Sequence, residues 1–353
     1  MDQDTVLDQG LRGFPAFDSI FAAHPVRRGT AVHPLPAGRS LAMSRSTVNA
    51  FMRANEVAGL LVLVDGRVRL ERYALGHSAT RRWTSFSVGK SLTSTLAGAA
   101  VKDGAIRSLD DNVVAYLTAL TGSVYDGVTV RQLLTMTSGV AWNETYADPR
   151  SDIVQLYNGV GASIPSPLGV AKALRRETPA GTTWRYKTVE THLLANLVVA
   201  ATKKPLAQYA SEKLWAPYGM EADASWVVDD AGVEQGGCCL QATLRDYGQF
   251  VLDGARVNGA AIVPEGWMRA ATSKQADIGA PGHGYGYQWW TSDDGSFEAQ
   301  GIFGQSIHID PTRRLVVVMH SAWPTAVGEA LEARVVRFVA TVAAAVDAEH
   351  RDP

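Results

Sequence analysis

Trp83-Thr84-Ser85-Phe86-Ser87-Val88-Gly89-Lys90-Ser91-Leu92 reads as the opening turn of a helix. Its apolar face continues through Leu92, Leu96 and Ala99, and Asp103-Gly104 stops it. A serine and a lysine three residues apart on a helix share one face, so Ser87 and Lys90 come within hydrogen-bond reach. A first-turn serine also has unpaired backbone N–H groups and the positive end of the helix dipole beside it. Nucleophile, base and half of an oxyanion hole are thereby assembled in four residues. With 22 serines and 8 lysines in 353 residues, roughly 0.5 Ser-x-x-Lys matches arise by chance. The motif therefore has to be read in its surroundings.

Upstream lies the clearest strand signal. Leu60 to Val64, a turn at Asp65-Gly66, and Arg67 to Tyr73 form a hairpin, since Asp-Gly favours a two-residue turn. The first arm is apolar on both faces and reads as central; the second alternates, so one of its faces meets water. Before it, Ser44 or Ser46 caps a helix reaching about Asn55 with Val48, Phe51 and Met52 inward. Residues 1–40, with Pro15, Pro25, Pro34 and Pro36, read as an irregular arm.

Downstream, 105–235 shows helical patterns at Val113–Leu120, Val130–Met136, Ser151–Tyr157, Leu168–Leu174, Val189–Ala201 and Leu206–Tyr218. Turn clusters, among them Ser163 to Pro167, separate them. Strands return at Tyr285–Trp290, Phe297–Gln300, Ser306–Asp310 and Leu315–Met319, followed by a helix from Gly328 to about Ala348. The two ends of the chain must then share one sheet. The expectation is an α+β fold: an antiparallel sheet flanked by terminal helices, formed by 1–104 and 236–353, with a mostly helical domain at 105–235. The active site is expected in the cleft between them.

Composition is that of an ordinary globular protein, with 46% hydrophobic and 19% charged residues and a net charge of −2, which favours neither a nucleic-acid nor a membrane-surface partner. No apolar run approaches the ~20 residues that span a bilayer. Met1-Asp2-Gln3-Asp4 lacks a secretion-signal layout, and a cytoplasmic location is expected. A bridge between the neighbouring Cys238 and Cys239 would be strained, so both are expected as buried free thiols. The eight histidines show no paired metal-ligand spacing, so no metal is expected, and no cofactor. His192 and His308 read as packing or surface residues. Gly282 to Gly286 lacks dinucleotide-loop spacing, and Gly304-Gln305-Ser306-Ile307-His308 is not a Gly-x-Ser-x-Gly elbow.

With Ser-x-x-Lys opening the helix after the first hairpin, the layout from about 50 to 345 resembles the penicillin-recognising serine hydrolases, a β-lactamase-like family. Within it the chain looks closest to the 6-aminohexanoate-dimer (nylon oligomer) hydrolases and the family VIII carboxylesterases, an impression carried largely by the segment from Val130 to Tyr146. The family's second motif, a tyrosine after a Pro-x-Gly loop, matches Pro179-Ala180-Gly181 and Tyr186. The resemblance implies that Ser87 attacks, that Lys90 and Tyr186 move protons, and that the Ser87 and Ile302 N–H groups stabilise the oxyanion. A phenolate at Tyr186 would need Lys90's positive charge beside it. The resemblance also places Tyr146 over the cleft against the substrate and Gly301 on the edge strand. Trp142 and the Tyr285–Trp290 strand read either as the wall of an apolar pocket or, the commoner case for an aromatic strand, as core.

Two departures bear on the substrate. The edge strand from Ala299 to Gln305 has no Lys-Thr-Gly, and Thr188 stands where the family carries an asparagine. Both losses remove groups that hold a β-lactam. The expected activity is thus acyl-enzyme hydrolysis of a small linear amide or carboxylic ester, with no macromolecular partner. A β-lactamase or D-peptidase, or a non-catalytic binding module on the same fold, are the alternatives. Oligomeric state stays open.

Overall fold

The computed structural model describes residues 13–157, 164–252, 255–257 and 259–351. The first twelve residues of the expected arm and Ser163 of the expected turn lie outside these. Strands are numbered along the chain: β1 Ala23–Val26, β2 Val57–Val64, β3 Arg67–Tyr73, β4 Trp83–Thr84, β5 Ala224–Val227, β6 Leu240–Ala242, β7 Arg256–Val257, β8 Ala260–Ala261, β9 His283–Tyr285, β10 Trp290–Ser292, β11 Phe297–Gly301, β12 Gln305–Asp310 and β13 Leu315–Ser321.

β2 is apolar at almost every position because both of its faces are covered, and all eight residues are buried. It lies in a seven-stranded antiparallel sheet of order β3-β2-β13-β12-β11-β10-β9, so the first hairpin and the last strands share one sheet through the β2–β13 pairing. Side chains alternate along a strand, which sorts the sheet's two faces. Leu60, Val62, Val317 and Met319 face the terminal helices Arg45–Ala54 and Glu329–Arg351, whose Phe51 and Phe338 stack at 3.8 Å. Leu61, Leu63, Val316 and Val318 join a second core that includes Leu92 and Leu96 of the helix Gly89–Lys102. Each such side chain contributes about 1.5–3 kcal/mol by leaving water. Ser44 caps the first terminal helix, accepting from the Thr47 N–H at 3.1 Å.

Between the two halves of the sheet the chain forms helices Val130–Leu134, Asp152–Leu156, Pro167–Ala173, Thr188–Thr202 and Leu206–Ala210. The helix expected at Val113–Leu120 is two single 3₁₀ turns, Val113–Ala115 and Thr118–Leu120. That mostly helical stretch also carries the strand β5, which pairs with β1 from the supposedly irregular arm in a second sheet of order β1-β5-β6-β4. Four residues are too short for periodicity to register, and β1 lies far from β5 in sequence. The single strand expected over Tyr285–Trp290 is in fact a hairpin with Tyr285 opposite Trp290. Gln288 takes φ 63° at its tip and donates its side-chain amide to the Leu133 and Leu134 carbonyls, both at 2.9 Å. Tertiary hydrogen bonds override the strand propensity there. Among the described residues no helix is long and apolar enough to cross a membrane.

Candidate active site

Ser87 sits in the 3₁₀ turn Phe86–Val88, which runs directly into the helix Gly89–Lys102. The turn is strained, with Phe86 at φ 40°. Ser85 holds it: its N–H donates to the Leu240 carbonyl at 2.8 Å, and its hydroxyl accepts from the Leu240 N–H at 3.1 Å and donates to the Phe86 carbonyl at 2.9 Å. The Phe86 ring is packed edge-on against Phe14, 5.2 Å between centroids.

One helical turn on, Lys90 Nζ lies 2.8 Å from Ser87 Oγ and 2.8 Å from the Gly237 carbonyl oxygen. The residue is 1% exposed, and burial pushes its pKa down to about 7, with the Glu144 charge acting in the opposite direction. Gly237 is held from its other side, since its N–H donates to His192 Nδ1 at 3.2 Å. His192 Nε2 stands 2.8 Å from the Tyr157 hydroxyl. His192 is buried, as the packing reading implied, but it packs within the site.

Tyr186 brings its ring to 5.0 Å from Lys90 Nζ and stacks on Trp290 at 5.5 Å, with Tyr285 edge-on at 6.2 Å. Burial raises its phenol pKa, Glu144 raises it further, and a hydrogen-bonding contact with Ser87 lowers it. The next residue, Lys187, turns into the protein interior, bonding the Met136 and Arg185 carbonyls at 3.3 and 3.2 Å and pairing with buried Glu190 at 3.5 Å. That anchor fixes the backbone from which Tyr186 projects.

Glu144 is the one site group that the sequence reading did not single out and that touches several of the others. Its carboxylate accepts from the Tyr146 hydroxyl at 2.8 Å, the Thr188 N–H at 3.1 Å, the Thr188 hydroxyl and the Trp142 indole N–H. Trp142, expected on a substrate-facing wall, is instead 4% exposed and packed in the core. The Tyr285–Trp290 aromatics back Tyr186 and fill the core, the commoner of their two readings, with Tyr285, Tyr287 and Trp289 each buried. Tyr146 lies on the wall of a cavity that Ser87 also lines.

Across the site, Gly301 ends β11 against the serine turn. A Cβ there would stand 2.8 Å from the Ser85 carbonyl oxygen and 3.0 Å from the Ser87 nitrogen, so only glycine admits this approach. Ile302 follows it and lines the same cavity as Ser87. The cavity measures about 400 Å³ and is walled largely by apolar side chains. Cys238 and Cys239 form part of its wall, and the expectation of free thiols is corrected: the two are joined by a disulfide. Adjacent cysteines meet this way when the backbone between them is bent, and Cys239 takes φ 69°. Glu144 had a faint sequence signal, two residues before Tyr146. Tyr157 had none, and nothing local tied His192 or the cysteine pair to Ser87, since these come from separate segments.

The β-lactamase family model matches residues 45–341. The chain is 30% identical over 320 residues to the 6-aminohexanoate-dimer hydrolase of Paenarthrobacter ureafaciens, covering 84% of this chain and 81% of that one. Its fold superposes with a TM-score of 0.83 on a Bacillus anthracis protein provisionally named a 6-aminohexanoate-dimer hydrolase, at 21% identity over 94% and 93% of the two chains. It also superposes at 0.67 on a penicillin-binding protein from Bacillus halodurans, at 16% identity over 83% of this chain and 99% of that one. The Ser-x-x-Lys turn between an antiparallel sheet and a helical layer, and matches spanning most of the chain, place this protein in the β-lactamase family, as a serine hydrolase of its amidase and esterase kind.

Proposed function

We propose that the protein hydrolyses a small carboxylic ester or linear amide through an acyl-enzyme on Ser87. The observation that carries this reading is the 2.8 Å approach of Lys90 Nζ to Ser87 Oγ, with the amine's pKa brought down to about 7. A lysine in that state is a base at neutral pH. Ser87 Oγ bonds to the carbonyl carbon as its proton passes to Lys90. The oxyanion is met by the N–H groups of Ser87 and Ile302. Collapse expels the alcohol or amine, which takes a proton from Lys90 by way of the Tyr186 hydroxyl; water then repeats the sequence on the acyl-enzyme. Lys90 rather than Tyr186 is the group near neutrality, so Tyr186 serves as a neutral relay, not as the phenolate first expected.

Tyr146, held by Glu144, is suited to contact the leaving group or acyl chain. Position 188 supports an ester or linear amide over a β-lactam: Thr188 spends both its donors on Glu144, and the edge strand has no lysine. The test is turnover of a short p-nitrophenyl ester, the linear 6-aminohexanoate dimer and nitrocefin by wild type and Ser87→Ala, with fluorophosphonate labelling of Ser87. Ester or dimer hydrolysis that survives Ser87→Ala would refute the assignment. Nitrocefin turnover equal to ester turnover would move the substrate class to β-lactams.

A further inference from the structure

The cavity that opens beside Ser87 is walled by Phe17, Phe21, Ile153, Tyr157, Ile164 and Val227, together with the Cys238–Cys239 disulfide. Among the described residues on that wall none carries a charge. Two charged groups bonded to wall residues, Lys90 and Glu144, are both engaged. Lys90 is held by Ser87 Oγ and the Gly237 carbonyl. Glu144 accepts from four donors on Trp142, Tyr146 and Thr188, so both of its oxygens are saturated. An ion entering here leaves its hydration and meets no opposite charge on the described wall, Glu144 being reached only behind Tyr146 and Thr188.

Away from Ser87 and Ile302, the Tyr157 hydroxyl on this wall keeps a proton to offer. The Gly237 N–H donates to His192 Nδ1, so the neutral ring carries its proton on Nε2 and directs it at the Tyr157 oxygen. The Tyr157 hydroxyl proton is then left with the weakly accepting Cys238 Sγ at 3.2 Å. Set among apolar side chains in a cavity of about 400 Å³, that hydroxyl orients a neutral group without rewarding a charged one.

We infer that this cavity receives an uncharged, hydrocarbon-rich part of the substrate, an aryl or medium-length alkyl chain next to the scissile carbonyl, and rejects an ammonium group there. The inference rests on Ser87 being the nucleophile. It separates this chain from a hydrolase suited to 6-aminohexanoate units, each of which ends in a charge.

The experiment uses isosteric ester pairs that differ only in a terminal methyl or ammonium. p-Nitrophenyl heptanoate is compared with p-nitrophenyl 6-aminohexanoate, and hexyl acetate with 5-aminopentyl acetate, so the charge sits first on the acyl and then on the alkoxy side. In at least one pair kcat/KM for the ammonium ester is expected to fall about a hundredfold or more below its neutral partner. Val154→Glu, which sets a carboxylate on the cavity wall from the half-buried face of helix Asp152–Leu156, should shrink that gap to about tenfold or less, while Val154→Gln should not. Neutral esters turned over in a Ser87-dependent way, with both ammonium esters within tenfold of them, would overturn the inference. Failure of the neutral esters themselves would instead strike the Ser87 assignment. If Val154→Glu loses neutral-ester turnover through misfolding, the wild-type pairs decide alone.

Discussion

Thr188 donates both its backbone N–H and its hydroxyl to the carboxylate of Glu144, tying the N-terminus of the helix Thr188–Thr202 to the loop that carries Tyr146. A negative charge at a helix N-terminus is favourable in itself. Here it also lies close enough to Lys90 and Tyr186 to act on both, raising the pKa of each.

Glu144→Gln keeps the shape and removes the charge. Lys90 then loses the neighbour that opposes its desolvation, so its pKa falls further below the ordinary lysine value. The acid limb of the kcat/KM profile is expected to move to lower pH by a fraction of a unit. A profile whose limb stays in place, measured on a neutral ester, would show that Glu144 acts only as a structural tie.

In the wild type that acid limb belongs to Lys90 and should fall at about pH 7, with kcat/KM rising as the amine loses its proton. Lys90→Arg stays charged throughout and should lose about 10²–10⁴-fold in kcat. Lys90→Met should be equally inactive yet raise Tm. The folded pKa of Lys90 lies below its unfolded value, so below about pH 10 protonation favours the unfolded chain, and removing the amine removes that cost. Thermal denaturation at pH 7 checks the sign.

Gly301→Ala puts a Cβ where the Ser85 carbonyl and Ser87 nitrogen already stand within 2.8 and 3.0 Å. The edge strand must retreat and carry the Ile302 N–H with it. The expected signature is a loss of about 10²–10³-fold in kcat with little change in KM, as for a displaced oxyanion donor. A purely proportional rise in KM would place the damage in substrate binding instead.

Behind the site, His77 Nε2 and His320 Nδ1 meet at 3.0 Å in a buried pair. Burial pushes the His77 pKa down to about 4, with Arg81 adding to it, and holds His320 well below the usual imidazole range. Because the folded values lie below the unfolded one, the unfolded chain takes up protons first as pH falls. Stability is full above about pH 6.5 and is lost progressively toward pH 4, by about 3 kcal/mol for His77. His77→Asn should flatten the urea-midpoint curve across that window. A curve as steep as wild type would assign the acid loss to the carboxylates.

The elements that could be read from sequence are those whose signal is local. β2 announces itself because eight consecutive positions are buried, and Ser44 marks its helix because a cap needs only the next three residues. Ser87 and Lys90 were legible for the same reason: one helical turn fixes their distance, whatever the rest of the chain does. Tyr186 followed from its loop. The hairpin at Tyr285–Trp290 was misread, because Gln288 turns there for carbonyls 154 and 155 residues away.

The sequence alone thus determined the α+β layout and the pairing of Ser87 with Lys90, since turn chemistry and hydrophobic period act over a few residues. Only the tertiary structure decided the environment around that pair. Burial lowers Lys90's pKa, Glu144 counters it from a separate loop, and Gly237, Tyr157 and His192 converge from three other segments. Desolvation and long-range hydrogen bonds belong to positions in space, and no spacing along the chain encodes them.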